Sequence, residues 1–213
     1  MTGESGASRT DPVSAWREPP VPQPGGRDPA PGELALVQAF INAHYDLEFE
    51  HGADLFATPA ALEAWMARRG LSDRGSVTDA DVRRVVAVRE GLRVLAGANG
   101  AGGARNRVAT LAELNRAARG AALEVRFAGG GQPRFVPARG SAVDRTLAIV
   151  LAITARAMLE GAWGRLKVCP GDHCGWAFYD HSRNQSGRWC SMSVCGGRVK
   201  ARAHYRRRRN GGE

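Results

Sequence analysis

The sequence predicts a mainly α-helical domain with one β-hairpin, followed by a small cysteine-rich module. Two observations carry this prediction. Between residues 32 and 163, apolar residues recur mostly at spacings of three and four, which is typical of amphipathic helices. All four cysteines of the 213-residue chain then lie within one stretch of 27 residues, from Cys169 to Cys195.

Residues 1–31 differ in composition from the rest of the chain. They hold seven of the eleven prolines, many other positions are glycine, serine or charged residues, and the apolar residues are isolated. Such a segment cannot bury enough apolar surface to offset the entropy lost on ordering. We therefore expect residues 1–31 to be a disordered tail.

Five segments with an apolar stripe at helical spacing follow this tail. They begin near Leu34, Thr58, Thr78, Val108 and Ala142, and the last runs to about Ala162. Thr58 and Thr78 are residues whose side-chain oxygen can cap a helix, and Pro59 suits the first helical position. Before the last helix the apolar period changes to two at Leu123, Val125 and Phe127, which predicts a β-hairpin. Residues 32–163 are thus expected to form one mainly helical domain.

The net charge of +9 is concentrated in the last quarter of the chain. Residues 165–213 contain eleven Lys or Arg and three acids, which gives +8, whereas residues 1–164 carry nineteen Arg and eighteen acids, which gives only +1. A basic segment attached to a nearly neutral domain indicates a polyanionic partner.

The cysteines form two pairs with the spacing Cys169-x4-Cys174-x15-Cys190-x4-Cys195. Four thiolates in two pairs suit a closed tetrahedral zinc site of the structural type. Disulfides, free thiols or a redox site are the alternatives, and His173 and His181 are competing ligands. We predict one structural Zn²⁺ bound by the four cysteines.

The sequence contains no recognisable catalytic constellation, so we expect a protein that is not an enzyme. Residues 32–163 have no phosphate-binding glycine loop and no nucleophile beside a base. Glu48, Glu50 and His51 could form a metal site, but a solvated helix end is the simpler interpretation. No apolar run approaches 18 residues and no secretion signal is present, which argues against a membrane partner and favours the cytoplasm.

The cysteine-rich segment matches a known sequence pattern over much of its length. The matching elements are the four cysteines, Trp176, Phe178, Asp180, Ser182–Asn184, Arg188–Met192, Gly196, Arg198 and Lys200. This segment resembles the bacterial CGNR zinc-finger family, and the segments around Leu34, Asn42, Trp65 and Asn115 are similar to the ABATE domain. The resemblance implies a treble-clef finger over residues 164–209 after an ABATE-like sensor or dimerisation domain over residues 32–163. Proteins of this kind are regarded as stress-induced transcription regulators.

Two positions depart from the family pattern. Gly197 stands where the CGNR motif has asparagine, and Gly187 stands where an arginine usually precedes Arg188. Both replacements remove a polar side chain from the expected nucleic-acid face, while all four zinc ligands are retained.

The treble-clef resemblance implies a helix from about Ser193 to Arg209 that could bind DNA. Helical spacing places four arginines on one face of it. The predicted nucleic-acid-binding residues are Arg198, Lys200, Arg202, Arg206 and Arg209 on the helix, and Arg183, Asn184 and Arg188 on the preceding loop. A solvated charged helix is the alternative. Trp176, Phe178, Tyr179 and Trp189 could stack on bases, but a small finger needs them as its core.

The resemblance also indicates Asn42, Trp65 and Arg89 as candidates for a ligand pocket in the helical domain. The prediction is therefore a zinc-finger, DNA-binding transcription regulator that responds to stress or to a small-molecule effector of unknown identity, and that could form a homodimer. The alternatives are an RNA-binding or ribosome-associated zinc protein, and a non-catalytic interaction protein with a structural zinc cap.

Overall fold

The computed structural model of the protein describes residues 22–44, 54–72, 76–100, 107–127, 129–171 and 174–197. Five α-helices account for most of its regular secondary structure. They are α1 (Leu34–Asn42), α2 (Pro59–Arg68), α3 (Asp79–Gly97), α4 (Arg107–Ala117) and α5 (Ala142–Leu159). Together with a hairpin and a C-terminal cysteine cluster, they confirm the predicted fold class.

Local sequence sets most of the helix boundaries. Thr58 and Thr78 cap their helices, as the sequence predicts: the Thr58 hydroxyl accepts a hydrogen bond from the Ala61 amide, and the Thr78 hydroxyl accepts from the Asp81 amide. The structure adds that the Asp81 carboxylate accepts from the Thr78 amide in return, which completes a capping box. Helix α5 ends at Leu159, short of the expected Ala162, because Gly161 adopts a left-handed conformation with φ of 79° and turns the chain away.

The predicted hairpin consists of the antiparallel strands β1 (Leu123–Phe127) and β2 (Pro133–Pro137). Val125 lies opposite Phe135, and both side chains are about half exposed. Val136, on the other face, is buried beside α5. The hairpin therefore contributes to the core through one face only.

The core of the helical domain contains a cluster of three aromatic rings. Phe40 on α1, Phe56 in the turn before α2, and Trp65 on α2 are fully buried, with ring centroids 5.2 to 5.9 Å apart and tilted or edge-on geometry. Helix α5 packs beside α1, α3 and the hairpin. No helix among the described residues is long and apolar enough to cross a lipid bilayer.

A second strand pair follows α5 and a short 3₁₀ turn. The antiparallel strands β3 (Leu166–Val168) and β4 (Ala177–Tyr179) lead into and out of the first cysteine pair. These strands are not predicted from the sequence, because strands of three residues are too short to show a period of two. Leu166, Ala177 and Tyr179 belong to the same buried core as α1 and α5, so the strand pair packs directly on the helical domain.

Part of the expected disordered tail is ordered. Residues 22–31 have defined positions and contact both α1 and the cysteine module, and Ala30 is 3% exposed. The prediction of disorder is therefore wrong for these ten residues. It relied on composition, whereas their order comes from contacts with Gln38 on α1 and with residues about 150 to 165 positions later in the chain.

Candidate metal centre and nucleic-acid interface

The four cysteines converge on one point. Their Sγ atoms all lie within 4.8 Å of one another, and the Sγ of Cys190 is 3.6 Å from those of Cys174 and Cys195. Four sulfurs bound to one zinc at about 2.3 Å would lie about 3.8 Å apart by tetrahedral geometry. The cluster therefore fits one tetrahedrally coordinated Zn²⁺.

Glycine and backbone hydrogen bonds shape the first cysteine pair. The amide of Cys169 donates to the Trp176 carbonyl, and the amide of Cys174 donates to the Gly171 carbonyl. A Cβ at Gly171 would lie 3.3 Å from the Cys195 sulfur, and Gly175 has a φ of +65°. Only a residue without a side chain fits this turn comfortably.

The second pair is held by a capped turn. Ser191 precedes a single π-helical turn at Met192–Gly196, and its hydroxyl accepts a hydrogen bond from the Val194 amide. The Ser191 carbonyl accepts from the amides of Cys195 and Gly196. The turn thereby brings the sulfur of Cys195 back towards that of Cys190.

The thiols of the cluster do not ionise equally. Hydrogen bonds from the thiols of Cys174 and Cys190 lower the pKa of Cys169, whereas the interaction with Cys169 raises the pKa of Cys174 and of Cys190. Four thiolates this close need a cation to stay deprotonated together. Zinc, when bound, supplies that charge and cross-links the two turns.

The aromatic residues of the finger are core residues. Trp176, Phe178 and Tyr179 are 4%, 1% and 7% exposed, and Trp176 and Phe178 pack against the cysteines. These three rings are therefore not available for stacking on bases. Trp189 is half-buried against the same cluster, and Arg188 lies over its ring at 5.1 Å.

A buried ion pair, which is not predicted from the sequence, supports the loop before the second cysteine pair. The Lys167 ammonium lies 2.8 Å from the Asp180 carboxylate and also donates to the carbonyls of Gln185 and Gly187. Asp180 accepts further hydrogen bonds from Ser182 and from the Gly187 amide. Burial opposes ionisation of Asp180, but these hydrogen bonds hold its pKa below the ordinary value. Lys167 is one of two lysines among the thirty basic residues of the chain, and this rarity is the feature of the sequence that could have drawn attention to it.

The loop itself is exposed. Arg183, Asn184 and Arg188 all face solvent, so the structure places these three predicted residues on one loop.

His181 is exposed near the carbonyls of Asp28 and Pro29, and the ligand cluster among the described residues consists of cysteines alone. The other predicted nucleic-acid-binding residues, Arg198, Lys200, Arg202, Arg206 and Arg209, lie outside the described residues, as do His173, Glu48, Glu50 and His51.

The three candidate pocket residues have protein partners. The Asn42 amide pairs with the backbone of Ala177, and the Arg89 guanidinium, 3% exposed, makes two hydrogen bonds with the Asp54 carboxylate. Trp65 lies in the aromatic cluster, beneath the guanidinium of Arg69 at 4.0 Å. A ligand at Asn42 or Arg89 would have to replace these contacts, and the pocket stays a prediction.

Comparison with known protein families agrees with this architecture. The sequence model of the ABATE family, described as "Putative stress-induced transcription regulator", matches residues 34–162. The model of the CGNR zinc finger matches residues 165–208. No curated protein matches the chain. Because the ABATE match covers more than half of the sequence, this chain belongs to the ABATE family and carries a CGNR zinc finger after its ABATE domain.

Proposed function

We propose that this protein is a non-catalytic transcription regulator that binds duplex DNA in the cytoplasm through its zinc finger. The observation that carries the proposal is the exposed loop at residues 181–188, which the buried Lys167–Asp180 pair supports just before the second cysteine pair. Guanidinium groups such as those of Arg183 and Arg188 pair with phosphates and with guanine edges, and an amide such as that of Asn184 pairs with adenine.

The charge distribution supports the same proposal. Residues 165–213 carry +8, and a zinc ion bound by four thiolates contributes −2, so this segment stays near +6. The predicted helix from about Ser193 to Arg209 would complete a treble clef and enter the major groove, with Arg198, Arg202, Arg206 and Arg209 on one face. Neutralising phosphates releases counterions, so affinity should fall steeply with salt.

The test is DNA binding by zinc-loaded full-length protein. A random duplex pool is selected at physiological salt and the bound fraction is sequenced, after which affinity is measured at several salt concentrations. The double variant Arg183→Ala/Arg188→Ala should bind at least about tenfold more weakly, with a salt slope shallower by about two. The matched control, Arg83→Ala/Arg116→Ala, changes two exposed arginines on the helical domain and should bind like wild type.

Three results would overturn the assignment. Unchanged affinity in a folded, zinc-loaded variant would remove the loop from the interface. Preference for structured RNA over duplex DNA at matched salt would favour the RNA-binding or ribosome-associated alternative. If substitutions throughout the basic segment, including Arg198 and Arg202, do not change the affinity for nucleic acid, the remaining alternative is an interaction protein with a structural zinc cap.

In this proposal the ABATE domain provides the regulatory input. A small-molecule effector acts only if it binds two states of the protein with different affinities. A homodimer through the ABATE domain would link two fingers and raise their combined affinity for a palindromic site. Sedimentation of the zinc-loaded protein tests the dimer, and palindromy in the selected DNA is an independent readout of it.

A further inference from the structure

We propose that residues 22–30, which precede both matched family segments, are a structural part of the metal centre, and that Arg27 is a positioning residue for the second cysteine pair. We call residues 22–30 the arm. The inference goes beyond the proposed function, because it concerns how zinc is held and applies whatever the finger binds.

Arg27 contacts the backbone of a zinc ligand. Its Nε donates to the Cys190 carbonyl at 2.7 Å, and its Nη2 donates to the Trp189 carbonyl at 3.0 Å. The guanidinium also lies 5.0 Å from the ring centroid of the buried Phe178. One planar side chain thereby hydrogen-bonds to the carbonyls of two consecutive residues and also packs on a core ring of the finger. Charged donors form the stronger class of hydrogen bond.

The arm also fits closely against the turn of the second pair. Gly25 has a φ of +73°, and a Cβ at this position would lie 2.8 Å from the Ser191 hydroxyl oxygen. Ser191 is the residue that caps the Met192–Gly196 turn and is 3% exposed. The backbone of the arm thus approaches the cap of the turn that carries Cys195.

Both ends of the arm are attached to the helical domain through Gln38 on α1. The side-chain Oε1 of Gln38 accepts a hydrogen bond from the Ala30 amide at 2.6 Å, and its Nε2 donates to the side-chain oxygen of Gln23 and to the carbonyl of Ala177. The same Gln23 oxygen accepts from the Trp176 indole at 3.2 Å. Gln38 is 2% exposed, so the arm, α1 and β4 meet at a buried junction.

These contacts have a consequence for zinc affinity. Groups that hydrogen-bond behind metal ligands hold them in a geometry ready for the metal, and removing one lowers affinity by about 10- to 100-fold. Arg27 acts on Cys190 in this way through its carbonyl. The finger is therefore completed by residues from the other end of the sequence, and it is not an independent module.

The experiment compares zinc dissociation constants of full-length variants by competition with a chromogenic chelator. Arg27→Ala should bind zinc about tenfold or more weakly, Arg27→Lys should be intermediate because a lysine cannot donate to both carbonyls and stack, and Arg83→Ala should match wild type. Hydrogen exchange at the Cys195 and Gly196 amides should accelerate in Arg27→Ala, while exchange within α5 stays unchanged.

Two outcomes would overturn the proposal. Zinc affinity of Arg27→Ala within twofold of wild type would remove Arg27 from the metal centre. Equal acceleration of exchange in the turn and in α5 would show that Arg27 only stabilises the whole protein. If Arg27→Ala does not fold, Arg27→Lys and Gln23→Ala decide the question by the same two readouts, since each weakens one part of the arm. DNA binding is not needed for any of these measurements.

Discussion

The side chain of Asn42 makes both of the hydrogen bonds with the Ala177 backbone that a neighbouring strand would otherwise make. Its Nδ2 donates to the Ala177 carbonyl at 2.8 Å, and its Oδ1 accepts from the Ala177 amide at 2.8 Å. Helix α1 thereby satisfies both backbone groups of a buried residue on β4, which has β3 on its other edge. This pairing docks the strand pair of the finger on the helical domain.

Asn42→Ala should therefore destabilise the protein by about 1–3 kcal/mol, because the buried Ala177 amide would lose its partner and the Ala177 carbonyl would keep only the hydrogen bond from Gln38. Urea denaturation of the zinc-loaded protein measures this change. Asn115→Ala, at an exposed position on α4, is the matched control and should stay within about 0.5 kcal/mol of wild type. Equal effects of the two substitutions would mean that the Asn42–Ala177 pair does not hold the finger.

The local parts of this fold are readable from the sequence, and the junctions are not. Thr58 and Thr78 identify helix starts because their partners lie three residues away. The role of Asn42 depends on a partner 135 residues later, and that of Arg27 on a partner 163 residues later. No spacing or composition rule connects such positions. The four cysteines are the exception, since their chemistry alone requires them to meet.

A second prediction concerns the buried ion pair beside the metal centre. Lys167→Met would leave the Asp180 carboxylate charged and without its cation, which costs about 3–5 kcal/mol in a buried site. The side chains of Lys167 and Asp180 are 6% and 1% exposed. Exchange of the Gly187 amide, which donates to Asp180, should accelerate strongly.

The matched control is an exposed pair. The Nη2 atom of Arg126 lies 2.8 Å from the Oε2 atom of Glu124 on the hairpin, and the two side chains are 68% and 44% exposed. Such an exposed pair contributes about 0–1 kcal/mol to the free energy of unfolding. Arg126→Met should therefore change the free energy of unfolding little. If Lys167→Met and Arg126→Met lower the free energy of unfolding equally, the buried Lys167–Asp180 pair does not stabilise the loop.

The third prediction is a pH dependence at the Asp54–Arg89 pair. Burial opposes ionisation of Asp54, but hydrogen bonds from Arg89 outweigh it and hold the pKa of Asp54 below its ordinary value. A depressed pKa stabilises the fold above the unfolded value of about 3.9, and this stability is lost as the pH falls through the folded pKa. Asp54→Asn should thus be destabilising at pH 7, and its difference from wild type should shrink below about pH 4.

Urea denaturation between pH 7 and pH 3, followed by helix content, measures this difference. Loss of zinc at low pH affects wild type and variant alike, so subtracting the two removes it. Glu113→Gln, at an exposed position on α4, should show a small difference from wild type at every pH. A gap between Asp54→Asn and wild type that stays constant down to pH 3 would contradict the assignment.

The last prediction separates the two glycines that depart from the family pattern. A Cβ at Gly187 would lie 2.7 Å from the carboxylate carbon of Asp180, which is fully buried and cannot move aside. The Gly187 amide also donates to Asp180. Gly187 is therefore part of the buried network in this chain, and an arginine at this position would force Asp180 away from Lys167.

Gly197 has a different environment. It lies just after the Met192–Gly196 turn with a helical φ of −63°, and among the described residues a Cβ there would meet the Met192 carbonyl oxygen at 3.5 Å, an ordinary contact. Gly197→Asn should thus fold and bind zinc like wild type, while Gly187→Arg should lose several kcal/mol of stability. Gly130→Ala is the control, because no described residue would lie within 4 Å of a Cβ added at this position of the hairpin turn. If the finger binds DNA, Gly197→Asn should also raise affinity by adding a polar contact, whereas poor folding of this variant would show that position 197 requires glycine for packing.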